Sequence, residues 1–190
     1  MLSDGAGAVL LENASRGPLS LRIDWIEMSS AAADLPACMV AGADRGADGK
    51  LRGWMDFAPG EWGARSVFAI KQDVRLLNDN IVRATLAEPL AALIDKRRLV
   101  VDGIDWFLPH LSSNFFVQPV TECLAAIGLP IPQERWFSNL TRKGNTGSAS
   151  PYIMLDELFR SGRIKPGHKL LMFVPESGRF SSGFIHMEAV

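Results

Sequence analysis

The 190-residue chain has two cysteines, Cys38 and Cys123, and a single tyrosine. Two thiols without repeated spacing make neither a disulfide framework nor a zinc site, so we expect a reducing compartment, the cytoplasm, and no metal. With 20 basic and 21 acidic residues the net charge is −1, which gives no general attraction for nucleic acid or anionic lipid. No apolar run approaches the roughly 20 residues that span a bilayer, and Met1 does not open a signal peptide. We therefore expect neither a nucleic-acid nor a membrane partner.

The chain does have the composition of a packed globular protein, with 47% hydrophobic and 22% charged residues. We expect residues 1–190 to form one domain. Alternation of apolar and polar residues predicts a half-buried strand at 19–28, and continuous apolar runs predict buried strands. The buried strands are expected at 8–11 and 99–110. Two further strands are expected at 169–176 and 180–189, around a Ser-Gly-Arg turn, and a short strand at 135–138.

Apolar residues spaced three or four apart predict amphipathic helices. The helices are expected at 64–84, 87–98, 115–127 and 151–162. The Gly-, Ala-, Asp- and Pro-rich stretch 29–62 is predicted to be a long excursion with little regular structure, and 141–150 a loop. Strands alternating with helices indicate an α/β fold, a mixed β-sheet covered by α-helices.

Polar residues follow the ends of several predicted strands. His110 precedes Ser113 and Asn114, Glu176 ends a strand, and Asn145 lies in a Gly-rich loop. Sites in open α/β sheets form beyond the carboxyl ends of strands, where a histidine acts as a base or as a hydrogen-bond donor. The alternatives are a structural histidine satisfied by nearby backbone and, for Asn145, an ordinary turn residue.

Cys38 allows a different interpretation of the function. Together with a histidine and an asparagine, it would make a thiol hydrolase of the papain type. A reactive thiolate needs a helix N-terminus or a cationic neighbour, which the sequence around Cys38 does not indicate.

Gly5 and Gly7 are too few for a phosphate-binding loop, so tight entry into a strand is the preferred interpretation.

Taken together, several segments resemble one family, the carboxy-terminal half of β-ketoacyl-acyl-carrier-protein synthase III and its relatives in the thiolase-like superfamily. They occur in family order and span nearly the whole chain. The pair of Pro-His after a strand and Gly-Asn-Thr before a helix is the specific part. The segments are "DGAGAVLLE" at 4–12, "DWFLPH" at 105–110, "KGNTGSAS" at 143–150, "LDELFRSGRIKPG" at 155–167 and "SGRFSSGF" at 177–184.

The resemblance implies a thiolase-like half-fold and a Claisen condensation of acyl thioesters in fatty acid or polyketide biosynthesis. A cysteine carries the acyl group, while a histidine and an asparagine bind the second thioester carbonyl. His110 and Asn145 match these two residues, and the backbone at Gly178 matches a turn that forms the oxyanion hole of the acyl-enzyme. The remaining candidates for substrate contact are Ser113, Asn114, Glu176 and Phe180.

The same resemblance implies no tightly bound cofactor. Coenzyme A, or the phosphopantetheine of an acyl carrier protein, would carry the substrate, and the protein would be a homo-oligomer such as a homodimer. The family cysteine precedes the "DGAGA" strand, so we expect the cysteine-bearing amino-terminal half to be absent and the chain alone to be inactive in condensation, because it lacks the nucleophile. The alternative is a non-catalytic half-domain that serves as a partner or dimerisation module.

The turn after the histidine departs from the family pattern. His110 is followed by Leu-Ser-Ser-Asn-Phe-Phe, one residue longer than the usual His-Gln-Ala-Asn turn and without the basic residue. This departure, with the long 29–62 excursion, favours the dialkylresorcinol and aromatic-polyketide branch over the housekeeping enzyme.

Overall fold

A four-stranded sheet forms the centre of the molecule in the computed structural model, which describes residues 2–15 and 17–190. From one edge to the other, its strands are β1 (Leu21–Ser30), β8 (Ser181–Ala189), β7 (Lys169–Glu176) and β6 (Trp106–Pro109). Strand β6 runs parallel to β7, whereas β7 and β1 are both antiparallel to β8. The predicted mixed sheet is therefore confirmed.

Helices cover both faces of this sheet. The π-helical turn Arg83–Ala87 joins helix α2 (Val74–Val82) to helix α3 (Glu88–Arg97) without a break. The α-helices are α1 (Trp62–Arg65), α2 (Val74–Val82), α3 (Glu88–Arg97), α4 (Val117–Ala126), α5 (Leu140–Lys143) and α6 (Ser150–Arg160). Single 3-10 turns lie at Trp54–Asp56, Pro59–Glu61, Val101–Gly103, Asn114–Phe116, Gln133–Arg135 and Gly147–Ala149.

Alternate residues of the central strands enter two separate cores. Phe107 of β6 and Leu171 of β7 pack against the face covered by α3 and α4. Their chain neighbours Leu108 and Leu170 pack against the face covered by α6. Since successive side chains of a strand point to opposite faces, burial on both sides requires continuous apolar runs, and these are the runs seen in the sequence.

The predicted buried strand at 8–11 is wrong. Residues 3–12 form no regular strand, and Val9, Leu10 and Leu11 are 56%, 83% and 69% exposed. A buried strand needs neighbouring strands and cover on both faces, whereas the chain leading into this segment runs past the loop at 144–149 and the start of α6.

The long excursion contains more regular structure than predicted. Strand β2 (Met39–Val40) pairs with β5 (Lys71–Gln72), and β3 (Ala43–Arg45) pairs with β4 (Leu51–Gly53), both antiparallel. These ladders are two or three residues long, too short for the alternation of apolar and polar residues to reveal them.

The first long helix begins later than predicted, at Val74 and not near residue 64. Ser66 adopts a left-handed conformation that ends α1, and the Asp73 side chain caps α2 by accepting a hydrogen bond from the Leu76 amide at 2.9 Å. The predicted helices at 87–98, 115–127 and 151–162 are confirmed to within a few residues. The predicted strand at 135–138 is reduced to one parallel bridge, between Trp136 and Phe107.

Among the described residues, no helix is both long and apolar enough to cross a bilayer.

Leucine-to-alanine substitutions test this assignment of core and surface. Leu171 is fully buried between the sheet and α4, so Leu171→Ala is expected to lower the free energy of unfolding by about 2–5 kcal/mol. Leu10→Ala removes the same atoms from a side chain that is 83% exposed. It is expected to change the free energy of unfolding by less than about 0.5 kcal/mol. Urea unfolding of the two variants measures the difference, and equal losses would contradict the assignment.

Candidate functional site

A cavity of about 780 Å³ opens where the parallel strands β6 and β7 end. One part of its wall is apolar and comes from α2, the π-turn, α4 and β7. Polar residues that follow the two strand ends or belong to the Asn145 loop line the other part. The apolar wall includes Leu77, Ile81, Leu86, Phe116, Val120 and Phe173, and the polar wall includes His110, Ser112, Ser113, Asn145, Ser148 and Glu176.

His110 lies directly after β6 on the cavity wall. Its amide donates to the carbonyl of Phe173 at 2.8 Å, which extends the β6–β7 ladder by one hydrogen bond. This bond fixes the position of the backbone that carries the imidazole ring. The residue is only 9% exposed, and its burial lowers the pKa of the imidazole below the usual 6.5 because the charged form loses water. The ring is therefore neutral near pH 7, with one nitrogen able to donate.

Asn145 reaches the same cavity from the loop between α5 and α6. Its side-chain oxygen accepts a hydrogen bond from the Gly147 amide at 3.0 Å, and its carbonyl accepts one from the Ser3 amide at 2.7 Å. Within residues 2–15 and 17–190, no acceptor binds the Asn145 side-chain nitrogen. The loop therefore fixes the oxygen end of the amide and leaves the donor end available.

Of the four other predicted contact residues, two line the cavity and two do not. Ser113 and Glu176 line the cavity, although the Ser113 hydroxyl also accepts from the Phe115 amide at 3.2 Å. Asn114 is exposed and outside the cavity wall. Phe180 is fully buried in a hydrophobic cluster and does not line the cavity.

The turn at Gly178 is held by its own neighbours. The Gly178 amide donates to a Glu176 carboxylate oxygen at 2.5 Å, and the Gly178 carbonyl accepts from the Cys38 amide at 3.0 Å. The amide that an oxyanion hole would need is thus already bound to a carboxylate. The oxyanion role of Gly178 stays a prediction.

Neither cysteine has the surroundings of a nucleophile. The Cys38 thiol is 3% exposed and donates to the Ser177 carbonyl at 2.8 Å. Burial, with a smaller contribution from the negative charge of Glu176, raises the pKa of this thiol. Burial also raises the pKa of Cys123, and neither residue lines the cavity. These features argue against a thiol hydrolase.

Much of the cavity lining was not predicted from the sequence, and three of these residues are examples. Leu2, Gln72 and Thr85 all line the wall, and Thr85 sits in the π-turn with its hydroxyl bonded to the Ile81 carbonyl at 2.6 Å. Only the apolar spacing of α2 gave a signal for this side of the cavity. In the described ranges, no group of three or more His, Cys, Asp and Glu side chains is arranged to hold a metal ion.

Comparison with known proteins identifies the segment that holds these residues. Residues 94–184 match the family described as 3-oxoacyl-[acyl-carrier-protein] synthase III C terminal. His110, Asn145 and Glu176 all fall inside this match. The synthase III resemblance of the motifs is thus supported over the part of the chain that builds the polar wall.

Curated relatives extend the similarity along the chain. The chloroplastic β-ketoacyl-[acyl-carrier-protein] synthase III of Arabidopsis thaliana is 37% identical over 83 residues, covering 44% of this chain and 19% of its own. The synthase III of Rhizorhabdus wittichii is 27% identical over 186 residues, covering 96% of this chain and 49% of its own. The chain spans about half, or less, of these synthases.

The fold agrees with the sequence similarity. The crystal structure of 3-oxoacyl-[acyl-carrier-protein] synthase III from Aquifex aeolicus VF5 superposes with a TM-score of 0.58 at 21% identity, covering 92% of this chain and 46% of that one. The thiolase-like α/β fold predicted from the sequence is confirmed.

Titration of His110 tests its burial. Because the folded-state pKa lies below 6.5, the unfolded chain binds the proton more readily, and stability falls as the pH drops below about 6.5. We expect an NMR titration midpoint for the His110 ring below 6.5. We also expect a smaller loss of unfolding free energy between pH 7 and 5 in His110→Gln than in the wild type. A midpoint at or above 6.5 would contradict the assignment.

Alkylation tests the state of Cys38. A buried, protonated thiol reacts slowly, so iodoacetamide at neutral pH should label folded Cys38 more slowly than free cysteine, and urea should restore the rate. Mass spectrometry of the labelled peptide measures the rate. Labelling of the folded protein faster than free cysteine would revive the hydrolase hypothesis.

Proposed function

We propose that this chain supplies the histidine and asparagine of a synthase III-like condensing enzyme, an acyltransferase. The observation that carries the proposal is that His110 and Asn145, 35 positions apart in the sequence, line one largely apolar cavity with a free donor on each side chain. Neutral donors in a largely apolar cavity are suited to stabilising an oxyanion that develops during reaction.

The proposed reaction begins with a malonyl thioester whose carbonyl oxygen accepts hydrogen bonds from His110 and Asn145. The bond to the carboxylate breaks, carbon dioxide leaves, and the electron pair forms an enolate whose oxygen the two donors stabilise. The enolate carbon then attacks an acyl thioester, a carbon–carbon bond forms, and the thiolate of that thioester departs. A neutral imidazole can still serve this purpose, because one of its two ring nitrogens carries a proton.

The acyl thioester would be formed on a cysteine outside this sequence, either in a longer chain or in a second polypeptide. The surroundings of Cys38 and Cys123 support this, because both thiols have raised pKa values and neither lines the cavity. We accordingly expect the chain alone to form no β-ketoacyl product, although decarboxylation needs only the two donors.

The carrier and pathway extend the same proposal. The relatives' names point to acyl-carrier-protein thioesters, and we propose phosphopantetheine of a carrier protein or coenzyme A as the carrier, with no tightly bound cofactor. A cytoplasmic homo-oligomer in fatty acid or polyketide biosynthesis fits this chemistry. The altered turn after His110 remains the basis for the narrower dialkylresorcinol prediction.

A second candidate is a non-catalytic half-domain that binds another subunit. It is favoured by three apolar side chains around β5, Phe68, Ile70 and Val74, which are 58%, 60% and 56% exposed. Ile70 also lines the cavity, so a partner that covers this surface would close the cavity as well.

Decarboxylation of malonyl-CoA and malonyl carrier protein by the chain alone separates the two candidates. We expect carbon dioxide release, and a loss of about 100-fold in kcat in His110→Ala or Asn145→Ala, since each removes one oxyanion donor. Asn78→Ala, on the exposed face of α2, and His168→Asn, which keeps an acceptor for the Trp106 indole, are the matched controls.

Equal rates in the wild type and both cavity variants would contradict the roles of His110 and Asn145. No decarboxylation by the folded wild type would favour the non-catalytic candidate.

A further inference from the structure

The segment before β1 lies against the loop that carries Asn145. The Ser3 amide donates to the Asn145 carbonyl at 2.7 Å, and Leu2 forms an isolated parallel bridge with Asn145 while lining the cavity. Residues 2–15, apart from this contact, are exposed to solvent. The segment is therefore held by close backbone approach and not by burial of its apolar side chains.

Two glycines make this approach possible. A Cβ atom on Gly5 would lie 2.8 Å from the Cβ of Thr146, and one on Gly7 would lie 2.4 Å from the Cβ of Tyr152. Carbon atoms in contact are normally about 3.5–4.0 Å apart, and these neighbours are the inner parts of their side chains, which cannot swing aside. Any side chain at either position would push the segment away from the loop.

The loop itself supplies a third glycine. Gly144 has φ +75°, and a Cβ there would lie 2.0 Å from the Ser3 hydroxyl oxygen. Glycine thus occurs on both sides of this contact. One glycine precedes Asn145, and the other two pass over Thr146 and Tyr152.

The conformation of Asn145 depends on few other contacts. Its side-chain oxygen accepts from the Gly147 amide, and Thr146 is tied to the start of α6 through the Ser150 hydroxyl, which lies 2.8 Å from the Thr146 hydroxyl. Displacing Thr146 or Ser3 would therefore move the backbone on both sides of the Asn145 amide.

We propose that the segment Ser3–Gly7 is a clamp that positions Asn145, with Gly5 and Gly7 as positioning residues that act through the loop at 144–149 and the first turn of α6. The catalytic consequence rests on the proposed function of Asn145, whereas the positioning of the loop does not. The sequence interpretation of Gly5 and Gly7 as entry into a strand is thereby replaced by close packing against Thr146 and Tyr152.

The test compares Gly5→Ala and Gly7→Ala with Gly60→Ala. A Cβ at Gly60 meets no atom within 4 Å and its backbone is not left-handed, so Gly60→Ala is the matched control. Exchange of the Gly147 amide proton, measured by NMR, reports the hydrogen bond to the Asn145 side chain. We expect exchange at least tenfold faster in the Gly5 and Gly7 variants and unchanged in the control, with Tm close to wild type because the segment is exposed.

A second variant tests the hydrogen bond without adding a Cβ. Ser3→Pro removes the amide that donates to the Asn145 carbonyl and is expected to speed Gly147 exchange in the same way. In the malonyl-thioester assay, all three clamp variants are expected to lower kcat about tenfold with KM little changed, because donor geometry and not the carrier contact is altered.

Exchange at Gly147 that is the same in the Gly7 variant, the Ser3 variant and the Gly60 control would overturn the clamp. Faster exchange without a decarboxylation defect would leave the clamp supported and would count against the role of Asn145 instead.

Discussion

The parallel pairing of β6 with β7 is the constraint on which the site depends. Four residue pairs, from Trp106 with Leu170 to Pro109 with Phe173, put the carboxyl ends of both strands at the same edge of the sheet. The His110 amide then bonds to the Phe173 carbonyl, so the ladder continues into the first residue of the site. Without this register, His110 and Glu176 would not line one cavity.

The same pairing creates the environment that sets the protonation of His110. Both strands are buried on both faces, and Phe173 stacks on Phe184 of β8 with ring centroids 5.3 Å apart. A histidine that emerges from such a core has little contact with water, which disfavours its charged form. The geometry that places His110 therefore also favours its neutral form, in which one ring nitrogen remains a donor for the proposed reaction.

Asn145 is positioned by weaker, more local contacts. Its loop lies outside the sheet, between α5 and α6, and is fixed by a few hydrogen bonds and by the approach of the segment at Ser3–Gly7. The two donors of the proposed site thus differ in how firmly they are held: His110 by the central ladder, and Asn145 by surface contacts that single substitutions would alter.

Much of the fold was predictable from the sequence, because continuous apolar runs and helical spacing reflect burial directly. These patterns predicted the strands β7 and β8, the helices α3, α4 and α6, and the mixed sheet. The strand predicted at 8–11 was wrong, because an apolar run indicates only that burial is favourable. It does not indicate whether neighbouring strands are present to cover the segment. The start of α2 was misplaced because a cap at Asp73 and a left-handed Ser66 override apolar spacing.

For the site, the sequence by itself determined which residues are chemically able to act. His110 and Asn145 were identified from a histidine after an apolar run and an asparagine among glycines, together with their resemblance to a family pattern. Only the tertiary structure decided that they share a cavity, that Cys38 is bonded and shielded, and that Phe180 is core. Contacts between residues distant in the chain depend on strand register and packing, which local composition does not specify.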